Sequence, residues 1–298
     1  MATKRIAVIA TIYRYLSHAQ HFADRFFVGY PYGGRWHRPD CQLVSLYVDQ
    51  KSAGDQSEDR AREFGGQVYP TIAEALRCGG GELACDAVLI IGEHGEYPDN
   101  EKGQKLYPRY EFFKECVNVF EADGRTVPVY NDKHLSYSFD KAKEMVDDGH
   151  RLGFPILAGS SLPVTYRLPD VELPLGCNIE DALMVGCGGS DPMDYHALEA
   201  MQCMIERRSG GETGVKSVQL IEGDITNLDA FERVIAARGI THILHLAALQ
   251  VPFVRANPVR GAQVNVVGTT VVFEAAERHC DQVQNLVFAS SYGVYGEP

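Results

Sequence analysis

Eight cysteines are spread along the chain at positions 41, 78, 85, 116, 177, 187, 203 and 280, without a single C-x-x-C pair. That scatter fits neither a thiolate zinc site nor a disulfide framework, so no metal is expected and the natural setting is a reducing one, the cytoplasm. A basic tract is also missing. Lysine and arginine number 28 against 40 acidic residues, a formal charge of −12. A surface that acidic argues against nucleic acid and against anionic membrane as partners. No apolar run approaches the roughly 20 residues of a membrane span. The opening MATKRIAVIA passes straight into a short apolar strand, without the long apolar core of a signal peptide. What remains is a globular balance, 45% hydrophobic and 23% charged, in 298 residues. That length suits roughly two domains.

The apolar segments alternate in kind. RIAVIAT (5–11), QLVSLYVD (42–49), DAVLIIG (86–92), VPVY (127–130) and FPILAGS (154–160) are near-continuous hydrophobic runs, as expected of strands covered on both faces. Helical patterns separate them. One follows a capping box at Asp55 and Glu58 and stops at Gly65, and another ends near Gly124. A third sets Phe139, Ala142, Met145, Val146 and Leu152 on one face. The pattern predicts an α/β fold, a Rossmann-like doubly wound parallel sheet, over residues 1–160. Residues 161–218 form a connecting segment, broken by Pro163, Pro169 and Pro174 and then reading as a strand (IEDALMVGCGG) and a helix. Residues 219–298 supply a partial second Rossmann-type βαβαβ unit. There a helix from Leu228 to Arg238 closes at Gly239, and the strands are THILHLAA and NLVFASS.

Ligands of open α/β sheets bind outside the carboxyl ends of the strands. Glu93 and His94 follow one such strand, and Asp132, Lys133 and His134 follow another. Together they could line one crevice able to take a sugar, a phosphate or a metal, or they could be a hydrogen-bonded cluster that holds the 93–107 connection. The pairs His18/His21 and His242/His245 read as packing or surface histidines. GYPYGGRWH (29–37), aromatic and glycine-rich, could be a substrate lid or a turn between elements, and without polar catalytic residues nearby it reads as the turn.

GDITNLDAF, HILHLAA, NPVRGAQVNVVGTTVVFEAA and LVFASSYGVYG stand in order from residue 223 to 296. Together they resemble the NAD-dependent epimerase/dehydratase group of extended short-chain dehydrogenases, over about residues 219–298. The resemblance implies a cofactor, NAD or NADP. Asp224, with Ile225 beside it, would meet the adenine end, and Ala247 and Ala248 would let the cofactor lie against the backbone. Asn265 would give backbone support, and Ser291 would hydrogen-bond a substrate oxygen. The family's next helix carries Tyr-x-x-x-Lys, the general base and its activator. The sequence stops at Pro298 before that helix, and no lysine follows Tyr292 or Tyr295.

The order of elements in residues 4–218 resembles a divergent Gfo/Idh/MocA-type oxidoreductase: a first strand, a second strand ending in Asp49, then VYPTIAEAL, DAVLIIG and VPVYNDKHLSYSFDKAKEMVDDGHRLGFPILAG. The likeness implies a catalytic Lys133, at the lysine of that family's Glu-Lys-Pro motif, and His196 near the histidine that opens its second domain. It also implies a ribose-binding role for Asp49. The departures are specific. TIYRYLSHAQHF follows the first strand where a glycine-rich phosphate loop belongs, and Asp132 and His134 replace the flanking Glu and Pro.

VQLIEGD (218–224) suits a strand of either family, so the chain reads as a fusion joined there. Two functions are open on these residues. One is an NAD(P)-dependent enzyme lineage acting on a small sugar-like substrate, as a monomer or a homo-oligomer. The other is a catalytically incompetent hybrid whose N-terminal domain is a binding or structural module.

Overall fold

The first strand, β1 (Lys4–Ala10), is buried from Ile6 onward on both faces. In this computed structural model, which describes residues 3–164, 172–185, 191–216, 223–245, 247–249 and 251–288, that strand is the centre of the larger sheet. It leads into α1 (His18–Phe27), the short β2 (Tyr30–Tyr32) and β3 (Arg35–His37), then β4 (Cys41–Val48), α2 (Ser57–Phe64) and β5 (Gln67–Tyr69). After α3 (Ile72–Arg77) come β6 (Ala87–Ile91), α4 (Arg109–Asp123), β7 (Val129–Asp132), α5 (Phe139–Leu152) and β8 (Ile156–Gly159). The spatial order is β5-β4-β1-β6-β7-β8, and every pairing is parallel. This is the order of a doubly wound sheet, and its topological switch point lies between β1 and β6.

Each face of the sheet has its own core. Leu76 of α3, Phe113, Cys116 and Phe120 of α4 and Met145 of α5 cover Ile9, Val88 and Ile90. Ala19, Ala23 and Phe27 of α1 and Ala61 of α2 cover Val8, Leu46 and Leu89 on the other side.

Three local expectations are corrected. Gln56, not Asp55, is the N-cap of α2, because the Asp55 carboxylate is occupied by the Ser57 hydroxyl at 2.7 Å and by Lys51 at 3.6 Å. Phe139 is 82% exposed, since α5 turns Met145 and Asp148 inward, with Asp148 neutralised by Lys114 and Arg151. Residues 30–37 form an antiparallel hairpin rather than a simple turn. Its tip is Gly33-Gly34, both at positive φ, as a tight two-residue hairpin loop requires.

The chain divides into two compact units, residues 1–160 and 161–298. The second unit contains β9 (Leu183–Val185), α6 (Asp191–Ile205), α7 (Leu228–Arg238), β10 (His242–His245), α8 (Val251–Ala256), α9 (Pro258–Ala262), a π-helical turn over Gln263–Gly268, α10 (Thr269–Arg278) and β11 (Asn285–Phe288). Its strands run parallel in the order β11-β10-β9 over a core of Ile235, Ile243, Val272, Ala275 and Val283. Gly239 closes α7 at φ 64°, where the sequence places the stop. Residues 217–222, which include most of VQLIEGD (218–224), and the segment 289–298 lie outside the described residues.

Phe113→Ala should destabilise the first unit by about 3–5 kcal/mol, because it empties a site with no exposure at all. Phe139→Ala should stay within about 0.5 kcal/mol of the parent. Trp36, the single tryptophan, lies in this unit and reports both values by fluorescence in a urea titration.

Candidate functional site

Thr11 follows β1 directly and ties the switch point together. Its N–H donates to the Ile91 carbonyl at 3.2 Å, and its hydroxyl donates to the Glu93 carbonyl at 2.7 Å. Around this knot the carboxyl ends of β6 and β7 and the first turn of α1 bring polar side chains together. His18, the first residue of α1, places Nδ1 2.6 Å from Asp132 Oδ2. The Asp132 side chain is 2% exposed, while that of His18 is 30% exposed. His94 meets His18 edge to face, the ring centroids 5.1 Å apart. Burial holds the His94 imidazole below its usual proton affinity. Glu93 opposes that effect, whereas His18, Arg14 and Lys133 reinforce it.

Below the histidines lies a buried ion pair. Arg109 Nη2 donates to Glu93 Oε2 at 2.6 Å, Arg109 Nη1 lies 3.1 Å from His134 Nε2, and the guanidinium stacks over Tyr107 at 5.0 Å. Gly92 makes this possible, since a Cβ there would stand 2.6 Å from Arg109 Cγ. Lys133 is buried, its backbone N–H donating to the Gly159 carbonyl at 3.0 Å. Asn131 Nδ2 steadies the turn by donating to the His134 carbonyl at 3.0 Å. Both His94 (φ 69°) and Lys133 (φ 68°) sit in the left-handed region, a strained choice for residues with side chains. The crevice residues read from the sequence, Glu93, His94, Asp132, Lys133 and His134, do come together, and His18 joins them. The sequence reading placed His18 among packing histidines. What it missed is that α1 starts at the carboxyl edge, where its first side chain can reach β7.

This arrangement does not suit a dinucleotide. The place for a glycine turn holds the buried side chains of Ile12 and Tyr13. Asp49, the ribose candidate, already accepts two tyrosine hydroxyls, from Tyr47 at 2.8 Å and Tyr97 at 2.7 Å. Burial and that same carboxylate push the Tyr47 hydroxyl up to about 12.

In the second unit, Asp224 is exposed, and its Oδ1 accepts from the Thr226 N–H and hydroxyl, both at 2.8 Å, which holds the carboxyl below its ordinary range. Ile225 packs on the π-helical turn, where a Cβ on Gly268 would stand 2.9 Å from it. Ala247 is buried just past β10, and Ala248 beside it is exposed. Asn265 clamps the backbone there, its side chain accepting from the Leu249 N–H at 2.6 Å and donating to the Leu249 carbonyl at 3.0 Å. A π turn often marks such a specialised position. His245 is buried against Thr269, 2.9 Å away, and Phe288, as a packing histidine would be. His196 lies on α6 with Nδ1 3.5 Å from Glu199, while Lys133 belongs to the first unit. Ser291 lies outside the described residues.

Beside β10 lies β9, which the sequence places in the connecting segment. Residues 183–185 pair in parallel with β10, and Gly186-Cys187-Gly188-Gly189 follows them in sequence before α6. Among the described residues no cluster of metal ligands occurs, and no helix is long and apolar enough to cross a membrane.

The sequence model of the NAD dependent epimerase/dehydratase family matches residues 196–298. No curated protein matches. Similar solved structures include biliverdin reductase with biliverdin and NADP+ from Synechocystis (12% identity, 69% of this chain and 57% of that one, TM-score 0.39). Others are UDP-N-acetylglucosamine 3-dehydrogenase from Acidithiobacillus ferrooxidans (12%, 63% and 49%, 0.37) and myo-inositol 2-dehydrogenase from Lactobacillus plantarum (17%, 53% and 36%, 0.34). This chain therefore spans less than two thirds of each of those proteins.

Two outcomes follow from the crevice geometry. Arg109→Met should cost about 3–5 kcal/mol, because it strands the buried Glu93 carboxylate, and a denaturant titration measures it. His94 binds its proton less readily folded than unfolded, so its contribution is intact above about pH 6.5 and is lost as the pH falls below that value. His94→Gln should therefore flatten the fall in Tm between roughly pH 7 and pH 5, followed by scanning calorimetry.

Proposed function

We propose that the second unit is the dinucleotide-binding part of an NAD(P)-dependent epimerase/dehydratase lineage that acts on a small sugar-like substrate. The family match over residues 196–298 carries this reading. The parallel β11-β10-β9 sheet supports it, because it sets Ala247 and the glycine-rich 186–189 segment after neighbouring strands. A dinucleotide would supply a hydride acceptor at this edge. The chain's own residues would do the holding: Asp224, fixed by Thr226, and Ile225 at the adenine end, with the small Ala247 and Ala248 leaving room along the backbone. Asn265 keeps that backbone in place. Ser291 would polarise a substrate hydroxyl. One departure tempers the phosphate loop. Asp191 stands where a third glycine of G-x-G-x-x-G would fall, and its charge opposes a pyrophosphate.

A second reading, that the first unit is a binding module rather than a second cofactor domain, is favoured by the Asp49 carboxylate being held by two tyrosines. Lys133 then serves a ligand of that unit. On either reading the substrate is a small molecule.

Calorimetric titration with NAD and with NADP tests the proposal on the whole chain. Binding of one of them, weakened about tenfold by Asp224→Ala, is the expected result, the size a lost hydrogen bond to a charged group gives. Absence of binding at millimolar concentrations, or binding indifferent to Asp224→Ala, would refute it.

A further inference from the structure

The crevice of the first unit is a built polar site at the position where open α/β sheets bind their ligands, yet its residues exclude a dinucleotide. Its charges come from every element that meets there: Arg14 from the loop after β1, His18 from α1, Glu93 and His94 after β6, Arg109 from α4, and Asp132, Lys133 and His134 after β7. Both carboxylates are already satisfied, Glu93 by Arg109 and Asp132 by His18. Three fixed cations (Arg14, Lys133, Arg109) stand against two carboxylates (Glu93, Asp132), so this set of described residues is positive by one charge with His18, His94 and His134 neutral. Each imidazole that takes a proton adds another. Asp132 fixes the His18 ring through Nδ1, so Nε2 is the nitrogen left to face a ligand. The amino-terminal end of α1, ten residues long, adds its dipole in the same sense.

We propose that this crevice binds the phosphate group of a small phosphorylated metabolite, seated beside the contacting His18 and His94 rings on the side of Arg14 and Lys133. Donors arriving from α1, from β6 and from β7 surround the site from several directions. That suits a tetrahedral oxyanion better than a planar carboxylate, which two donors satisfy. The strained backbones of His94 and Lys133 have a use on this account, because each aims a side chain that a relaxed conformation would send elsewhere. The two proposals rest on different residues, so either can fail alone.

Sulfate is the probe, because its charge does not change near neutral pH. The whole chain at about pH 6.5 is titrated with sodium sulfate at constant ionic strength, and the histidine ring signals are followed by NMR, assigned with His18→Gln and His94→Gln. The expected result is saturable movement of the His18 and His94 signals but not of His245. Arg14→Gln should weaken the affinity about tenfold. The Arg14 side chain is exposed, so this variant should fold even if the buried Lys133→Met does not. Acetate should bind more weakly than sulfate, and NAD should leave both signals in place. Movement that never saturates, an affinity unchanged in Arg14→Gln, acetate binding as tightly as sulfate, or displacement of these signals by NAD would each overturn the proposal.

Discussion

The first unit depends on β1 being hydrogen-bonded on both edges and packed on both faces. Once this strand is fixed between β4 and β6, the chain must leave in one direction through β4 and β5 and return across it to β6. That return creates a gap at the carboxyl edge which no crossover covers. Thr11 closes the floor of the gap with two bonds to the β6 end, and everything polar in the crevice stands on that floor. On the α4 face the core carries Phe112, Phe113, Phe120 and Phe154, whereas α1 meets the sheet through Ala19 and Ala23 beside Phe27. Ala19 and Ala23 let α1 lie near the sheet, which brings His18 within reach of Asp132.

Much of this was legible in the sequence. Continuous apolar runs marked the buried parallel strands, and Gly65, Gly124 and Gly239 marked helix ends, where each adopts the left-handed conformation. Strand-end positions foretold that Glu93, His94, Asp132, Lys133 and His134 would gather. Other features were not legible, for physical reasons. Arg109 lies in a helix pattern and looks like a surface residue. Only the three-dimensional approach of α4 to the β6 end, across Gly92, buries it against Glu93. Phe139 fits the apolar stripe of α5, yet the neutralising partners of Asp148 let a carboxylate take the inner face instead.

In the second unit the balance is reversed. Its motifs were plain from local spacing, and Asn265 performs the backbone support its motif implied. The pairing of β9 with β10 was not, because strand neighbours are a matter of long-range register that spacing along the chain does not encode.

The left-handed backbones at His94 and Lys133 bear on how this protein can change. A glycine at either place would relax the main chain by on the order of 1 kcal/mol, so selection for stability alone would favour it. Random drift would thus erase the crevice by making the fold sturdier. A chain with an imidazole and an ammonium at these two positions therefore stands off its stability optimum by the strain of both.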